Sequence, residues 1–228
     1  MKICNTPFED AHKDLDIFSN WKFTLSNFQK WAIYGMLNNK HVLITAHTGS
    51  GKTLPAEAAL LYFTSQGKRV IYTGPIKALI NQKFNEFTTK YPDISFGIIT
   101  GDNTFNPDAT VLLMTAEILR NTLFRKKITN AASADKSLLS FEMDLDSELA
   151  CVIVDEAHYI NDRDRGRVWE ETIMMLPKDI QLLLLSATLN KPEQNLVPLI
   201  EMRGGPEVFI CPTSKREVPL SHYGYLTI

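Results

Sequence analysis

"AHTGSGKTLPAEAAL", residues 46–60, joins a short apolar run to a helix-like segment through a glycine-rich turn. The run before it, "HVLIT" (residues 41–45), has the length and β-branched content of a buried strand. Two readings fit the turn by itself: a cradle for phosphates, or a tight corner at a helix entrance. The residues on either side decide between them.

Residues 46–53 match the pattern G-x-x-x-x-G-K-[ST], with Ala46 standing at the first glycine. His47, Thr48, Gly49, Ser50 and Gly51 form the loop, and the glycines let successive backbone N–H groups point at one anion. The following helix adds the positive end of its dipole. Lys52 is placed for the β- and γ-phosphates, and the Thr53 hydroxyl for Mg²⁺. Pro55 is tolerated because the first helical turn leaves its missing N–H without consequence.

Further strand-like runs alternate with helix-like segments. "RVIYT" (69–73) precedes an amphipathic stretch from about Ile76 to Thr89. "ISFGIIT" (94–100) and "TVLLMT" (110–115) follow, the second leading into "AEILRNTLFR". "ACVIVDEAH" begins at Ala150 and "DIQLLLLSAT" at Asp179. Continuous apolar runs of this kind suit strands covered on both sides, so an α/β fold is expected, with a mainly parallel sheet and helices on both faces. In such sheets ligands sit at the carboxyl ends of the strands. Three of these ends carry "AHTGSGKT", "DEAH" and "SAT".

"IVDEAH" sets two acids directly after a buried strand. Asp155 is placed to hold Mg²⁺, usually through water, and Glu156 to polarise an attacking water. Adjacent acids can also cap a helix. Paired with the glycine-rich turn about 100 residues upstream, they indicate an ATP or GTP phosphohydrolase site.

Composition bounds the reading. The 228 residues hold 24 basic and 26 acidic side chains, a net charge of -2, so a polyanion must be bound by a local surface. Three distant cysteines (Cys4, Cys151, Cys211) make neither a disulfide framework nor a metal-ligand spacing, which favours a reducing setting. The longest apolar run, 182–185, is too short for a bilayer, and polar and acidic residues stand where a signal peptide would be apolar. A soluble intracellular protein with no membrane partner is expected, nucleus and cytoplasm being equally open. Residues 1–20 show no periodicity, and the mixed-charge stretch 126–148 reads as a surface loop, most mobile over residues 131–140.

"AHTGSGKT", "DEAH" and "SAT", in this order, resemble motifs I, II and III of superfamily-two helicases, and "TLSNFQKWAI" lies where these carry a Q-motif equivalent. "YTGPIKALINQKFNEF", "TGDNTFNPDATVLLMTAEILRNTLFR" and "DEAHYINDRDRGRVWEETIMMLP" are similar to the superkiller-type DExH RNA helicases that feed RNA to the exosome. The resemblance covers nearly everything from Trp21 onward. It implies a RecA-like P-loop NTPase domain over residues 21–228, after an N-terminal extension at 1–20 and with an inserted surface loop at 126–148. It also implies an RNA-dependent ATPase that moves 3′ to 5′ on single strands.

The site roles that follow are those the resemblance implies. Gln29 would read the adenine edge, making ATP the nucleotide, with Phe23 or Phe28 near the base; Phe28 suits core packing better. Pro75, Lys77, Ala78, Thr100, Gly101, Asp102, Thr115 and Glu117 would line the RNA path, although Thr115 and Glu117 also fit a helix start. Ser186 and Thr188 would couple the nucleotide site to strand movement, and His158 would face a second motor lobe. Single-stranded RNA, a second RecA-like lobe and the RNA-decay machinery are the implied partners.

The chain departs from the pattern in three places. Ala157 stands where the group more often has a bulkier aliphatic residue. The stretch 126–148 is longer than the family's loop. The chain stops at "REVPLSHYGYLTI", where the first lobe of the family ends, so the second lobe with its arginine finger is expected to be absent, as are the winged-helix, ratchet and arch regions. Two rivals remain: a DNA helicase or translocase of the same superfamily, which more usually has Leu-Arg or Thr-Arg in place of Ile76-Lys77, and a non-catalytic ATP-binding scaffold.

Overall fold

Every second side chain of the central strands enters one hydrophobic layer, and its neighbours enter another. Val42 and Ile44 pack on one side and Leu43 on the other; Val70 and Tyr72 oppose Ile71; Leu183 and Leu185 oppose Leu182 and Leu184. Both faces are apolar, so the strands read as unbroken hydrophobic runs, as buried parallel strands do. The computed structural model describes residues 1–8, 16–131, 147–187, 189, 191–214 and 224.

The strands are β1 (Lys2–Ile3), β2 (His41–Ala46), β3 (Arg69–Gly74), β4 (Phe96–Thr100), β5 (Asn103–Phe105), β6 (Val111–Thr115), β7 (Leu149–Val154), β8 (Gln181–Ser186) and β9 (Val208–Thr213). They form one sheet in the order β1-β9-β2-β8-β7-β3-β6-β4-β5. All neighbours are parallel except β4 and β5. Helices α1 (Asn27–Leu37), α2 (Leu54–Ser65) and α3 (Lys77–Lys90) cover one face, through Phe28, Ala56, Leu60, Ile80 and Phe87. Helices α4 (Ala116–Ala131), α5 (Gly166–Met175) and α6 (Leu196–Arg203) cover the other, through Leu119, Leu123, Trp169, Ile173, Val197 and Ile200. The mainly parallel α/β sheet with helices on both sides is therefore present.

Several elements differ from the sequence reading. The stretch 126–148 does not begin as a loop: α4 continues to Ala131. The sequence there, "KKITNA" (126–131), is mostly polar and leaves no apolar stripe to read. Residues 132–146, with most of the span expected to be mobile, lie outside the described residues, as does nearly all of the C-terminal "REVPLSHYGYLTI".

The aperiodic N-terminus contributes β1, whose two residues are too few to show a period. The Cys4 N–H donates to the Ile210 carbonyl at 2.7 Å, and Phe8 is buried in the core. Strand β9 lies between β1 and β2 and holds Pro212 beyond the reach of β1, where its missing N–H breaks no ladder. Gly101 and Asp102 are the two-residue tip of a hairpin, because Thr100 pairs antiparallel with Asn103. Gly-Asp between two strand-like runs is a hairpin signal.

Candidate nucleotide site and neighbouring strand ends

Strand β2 delivers the glycine-rich turn. Ala46 is its buried last residue, followed by His47, half-buried, and Thr48 and Gly49, exposed. Gly49 and Gly51 have φ of 84° and 80°, in the left-handed region where a side chain is strained. The Ser50 N–H and hydroxyl both bond the His47 carbonyl, at 3.2 and 2.7 Å, which closes the turn. Thr53 occupies the N-cap of α2 and makes no capping hydrogen bond with its side chain.

Lys52 is buried, yet its ammonium reaches across the sheet edge to Glu156, at 2.9 and 3.1 Å from the two carboxylate oxygens. Glu156 has φ 52° and ψ 45°, a left-handed backbone uncommon outside glycine. That turn ends β7 abruptly and swings the chain into the 3₁₀ segment Ala157–Asn161. The two motifs read from sequence as one phosphohydrolase site are thus in direct contact.

Asp155 is buried, which pushes its carboxyl proton affinity up; the Tyr72 hydroxyl opposes this. That hydroxyl donates to Asp155 Oδ2 at 2.5 Å, and the Glu156 N–H donates to Oδ1 at 2.9 Å. The Tyr72 phenol is held neutral, first by burial and then by the Asp155 charge. Tyr72 was not among the residues singled out from sequence. It looks there like one more apolar residue of a buried strand.

Gln29 is buried and has two partners: its Oε1 accepts from the Ser26 N–H at 2.8 Å and its Nε2 donates to the Gly51 carbonyl at 3.0 Å. It therefore ties the start of α1 to the glycine-rich loop. Phe28 is in the core, as its apolar setting suggested, while Phe23 is 59% exposed. Ser186 is buried at the end of β8 with an unpartnered hydroxyl, and so is the Thr73 hydroxyl. His158 Nδ1 lies 3.3 Å from Glu156 Oε2 but is not aligned for a hydrogen bond. Thr188 lies outside the described residues.

The other candidates gather along the same sheet edge. Gly74 pairs with Thr115, which brings the ends of β3 and β6 side by side, and Ile99 pairs with Met114. Pro75 is buried; Lys77 and Ala78 are exposed at the start of α3. Lys77 pairs with Asp102, whose carboxyl it holds below the usual range. Thr100 is buried and Gly101 is exposed.

Sequence reasoning also missed Arg165. Its guanidinium donates to the Pro75 carbonyl at 2.9 Å and lies 3.4 Å from Glu117 Oε1, so it joins the starts of α3 and α4. Asp162 shapes its loop by accepting from the Asp164 and Arg165 N–H groups, at 3.0 and 2.9 Å. Gly166 is obligatory next to it, because a Cβ there would stand 2.3 Å from the Ile160 carbonyl oxygen.

The oxygen donors Thr53 and Asp155 suit a hard cation such as Mg²⁺, which keeps most of its water and needs few protein ligands. Among the described residues no group of three or more His, Cys, Asp or Glu side chains could hold a metal ion. No helix among the described residues is long and apolar enough to cross a membrane.

A sequence profile of the DEAD/DEAH box helicase family matches residues 26–196. The chain is 41% identical over 203 residues to the antiviral helicase SKI2 of Saccharomyces cerevisiae, covering 88% of this chain and 14% of that protein. It is 40% identical over 203 residues to the human exosome RNA helicase MTR4, covering 89% and 18%. It is 40% identical over 211 residues to the chloroplastic DExH-box ATP-dependent RNA helicase DExH15 of Arabidopsis thaliana, covering 92% and 17%. The chain thus spans less than a fifth of the length of these relatives. Among solved structures, the DUF1998 helicase MrfA bound to DNA and AMPPNP superposes with a TM-score of 0.65 at 18% identity, over 92% of this chain and 30% of that one, a likeness of fold. The chain belongs to the DEAD/DEAH box helicase family, whose helicase domains bind ATP, generally with Mg²⁺.

Proposed function

We propose that this member of the DEAD/DEAH box helicases is the ATP-binding RecA-like motor lobe of an RNA-dependent ATPase acting 3′ to 5′ on single-stranded RNA, in RNA processing or decay. The observation that carries the reading is the Lys52–Glu156 contact, which puts the phosphate loop and the acidic strand end in one site. Resemblance to relatives named as RNA helicases supports RNA as the polymer.

In this reading the backbone around Gly49 and Gly51 cradles the phosphates and Lys52 neutralises the β/γ charge. Thr53 and Asp155 would hold Mg²⁺, which when bound would supply positive charge to offset that of the phosphates. Lys52 must leave Glu156 to meet phosphate, and Glu156, freed of its cation, is then able to polarise water. Gln29, held beside the loop by its Gly51 contact, reads the adenine edge, with Phe23 near the base. Pro75, Lys77, Ala78, Thr100, Gly101, Asp102, Thr115 and Glu117 form a strip of helix starts and strand ends that suits phosphates without reading bases. Ser186 and Thr188 relay the nucleotide state, and His158 meets a second RecA-like lobe.

Calorimetry with Mg·ATP, Mg·ADP and Mg·GTP tests the nucleotide site, and salt-dependent binding of matched single-stranded RNA and DNA tests the strip. Preferential adenine-nucleotide binding is expected, with RNA binding that weakens as salt rises. Absence of nucleotide binding, or a clear preference for DNA, would overturn the corresponding half of the proposal.

A further inference from the structure

Tyr72 and Asp155 are brought together by strand register. Tyr72 lies opposite Ile153 in the parallel β3/β7 pair, and Asp155 follows two residues later, on the same face. Asp155 therefore lies diagonally across from Tyr72, a gap that a long aromatic side chain can span. The phenol closes it, with its hydroxyl 2.5 Å from Oδ2. The ring has little freedom. It is fully buried and meets Phe87 of α3 edge-to-face at 5.3 Å, and Phe87 in turn stacks on Phe96. The Asp155 N–H donates to the Thr73 carbonyl at 2.8 Å, fixing the backbone as well.

Both carboxylate oxygens therefore have a donor, Tyr72 at one and the Glu156 N–H at the other. A carboxylate oxygen accepts more than one hydrogen bond, so each retains capacity for a water or a cation. A carboxylate with one donor can rotate; with a donor at each oxygen its plane is set. We propose that Tyr72 is a positioning residue for divalent-cation binding at the nucleotide site, orienting the Asp155 carboxylate toward the hydrated metal. This rests on the nucleotide-site reading above. Hydrogen-bonding partners of metal ligands typically change metal affinity about 10- to 100-fold when removed.

The test is Tyr72→Phe in the 228-residue chain, which removes one oxygen and keeps the ring. ADP binding is measured by calorimetry in chelator and across a Mg²⁺ titration, beside a thermal melt. The expected result is a Mg²⁺ midpoint raised about tenfold, with ADP affinity in chelator unchanged. In an Asp155→Asn background the same substitution should leave the Mg²⁺ dependence unaltered. A lower melting temperature with an unshifted Mg²⁺ midpoint would show a purely structural hydrogen bond and overturn the proposal. A wild-type chain that binds no nucleotide overturns the site reading itself, and this inference with it. Should Tyr72→Phe not fold, 3-fluorotyrosine placed at position 72 keeps the hydroxyl. Its ¹⁹F resonance should move when Mg²⁺ is added to the ADP-bound chain, and a resonance that Mg²⁺ leaves in place overturns the proposal.

Discussion

The Lys52 ammonium lies 2.9 and 3.1 Å from the two carboxylate oxygens of Glu156, although 104 residues separate them in sequence. The pair is only partly open to solvent, with side chains 10% and 24% exposed, so phosphate must compete with an internal anion for the lysine. Glu156→Gln removes that competitor and leaves the cradle in place. Nucleotide affinity should therefore rise in Glu156→Gln, while Lys52→Ala should lose detectable binding. Calorimetry with Mg·ADP checks both, and weaker binding by Glu156→Gln would contradict the competition.

Gln29 serves two masters through the two ends of one amide, so conservative changes separate its roles. Gln29→Glu keeps an oxygen for the Ser26 N–H but places a carboxylate against the Gly51 carbonyl. The helix start should keep its contact while the loop loosens, giving weaker nucleotide binding, and the buried carboxylate should lower the melting temperature more at high pH than at low pH. Gln29→Ala loses both contacts and should cost stability as well, about 1 kcal/mol, as for other helix-start contacts. Wild-type nucleotide affinity in Gln29→Glu would count against this division.

His41 is completely buried, with the Leu182 N–H donating to Nδ1 at 3.1 Å and the Arg203 guanidinium 2.9 Å from Nε2. Burial, then the Arg203 charge, lowers its pKa from 6.5 to about 3. The folded chain thus keeps His41 neutral while the unfolded chain protonates it below pH 6.5. The stability this contributes is present above that pH and is lost progressively as pH falls toward 3. Between pH 8 and pH 5 the loss should be about 2 kcal/mol. Urea midpoints should show this acid-side slope in the wild type and a flatter one in His41→Asn.

Arg165 bonds the Pro75 carbonyl and faces Glu117, but its side chain is 42% exposed. Such an ion pair is screened, so Arg165→Ala should change stability by no more than about 1 kcal/mol. What it should change is the relative placement of the α3 and α4 starts. Binding of single-stranded RNA should weaken in Arg165→Ala while Mg·ADP binding stays at the wild-type level. A parallel loss of both would place Arg165 in the nucleotide site instead.

Much of this protein was legible in its residues. Buried parallel strands are apolar on both faces, so β2, β3, β4, β6, β7 and β8 stand out as runs ended by turn residues or acids. The phosphate loop and the acidic pair are local motifs, since each works through contiguous backbone and side chains. Elements whose identity depends on a neighbour did not show. Strand β1 exists only because β9 pairs with it, and the last turns of α4 carry no apolar stripe.

The sequence by itself determined the α/β class, the strand ends that carry chemistry, and the family. Tertiary structure alone decided which side chains meet across those ends: Lys52 with Glu156, Gln29 with Gly51, Tyr72 with Asp155, and Arg165 with Pro75. The reason is physical. Periodicity records whether a position faces apolar packing, and a buried tyrosine satisfies that record whether or not its hydroxyl finds a partner. The partner is set by strand order and register, which bring together residues that lie between 22 and 104 positions apart in these four pairs.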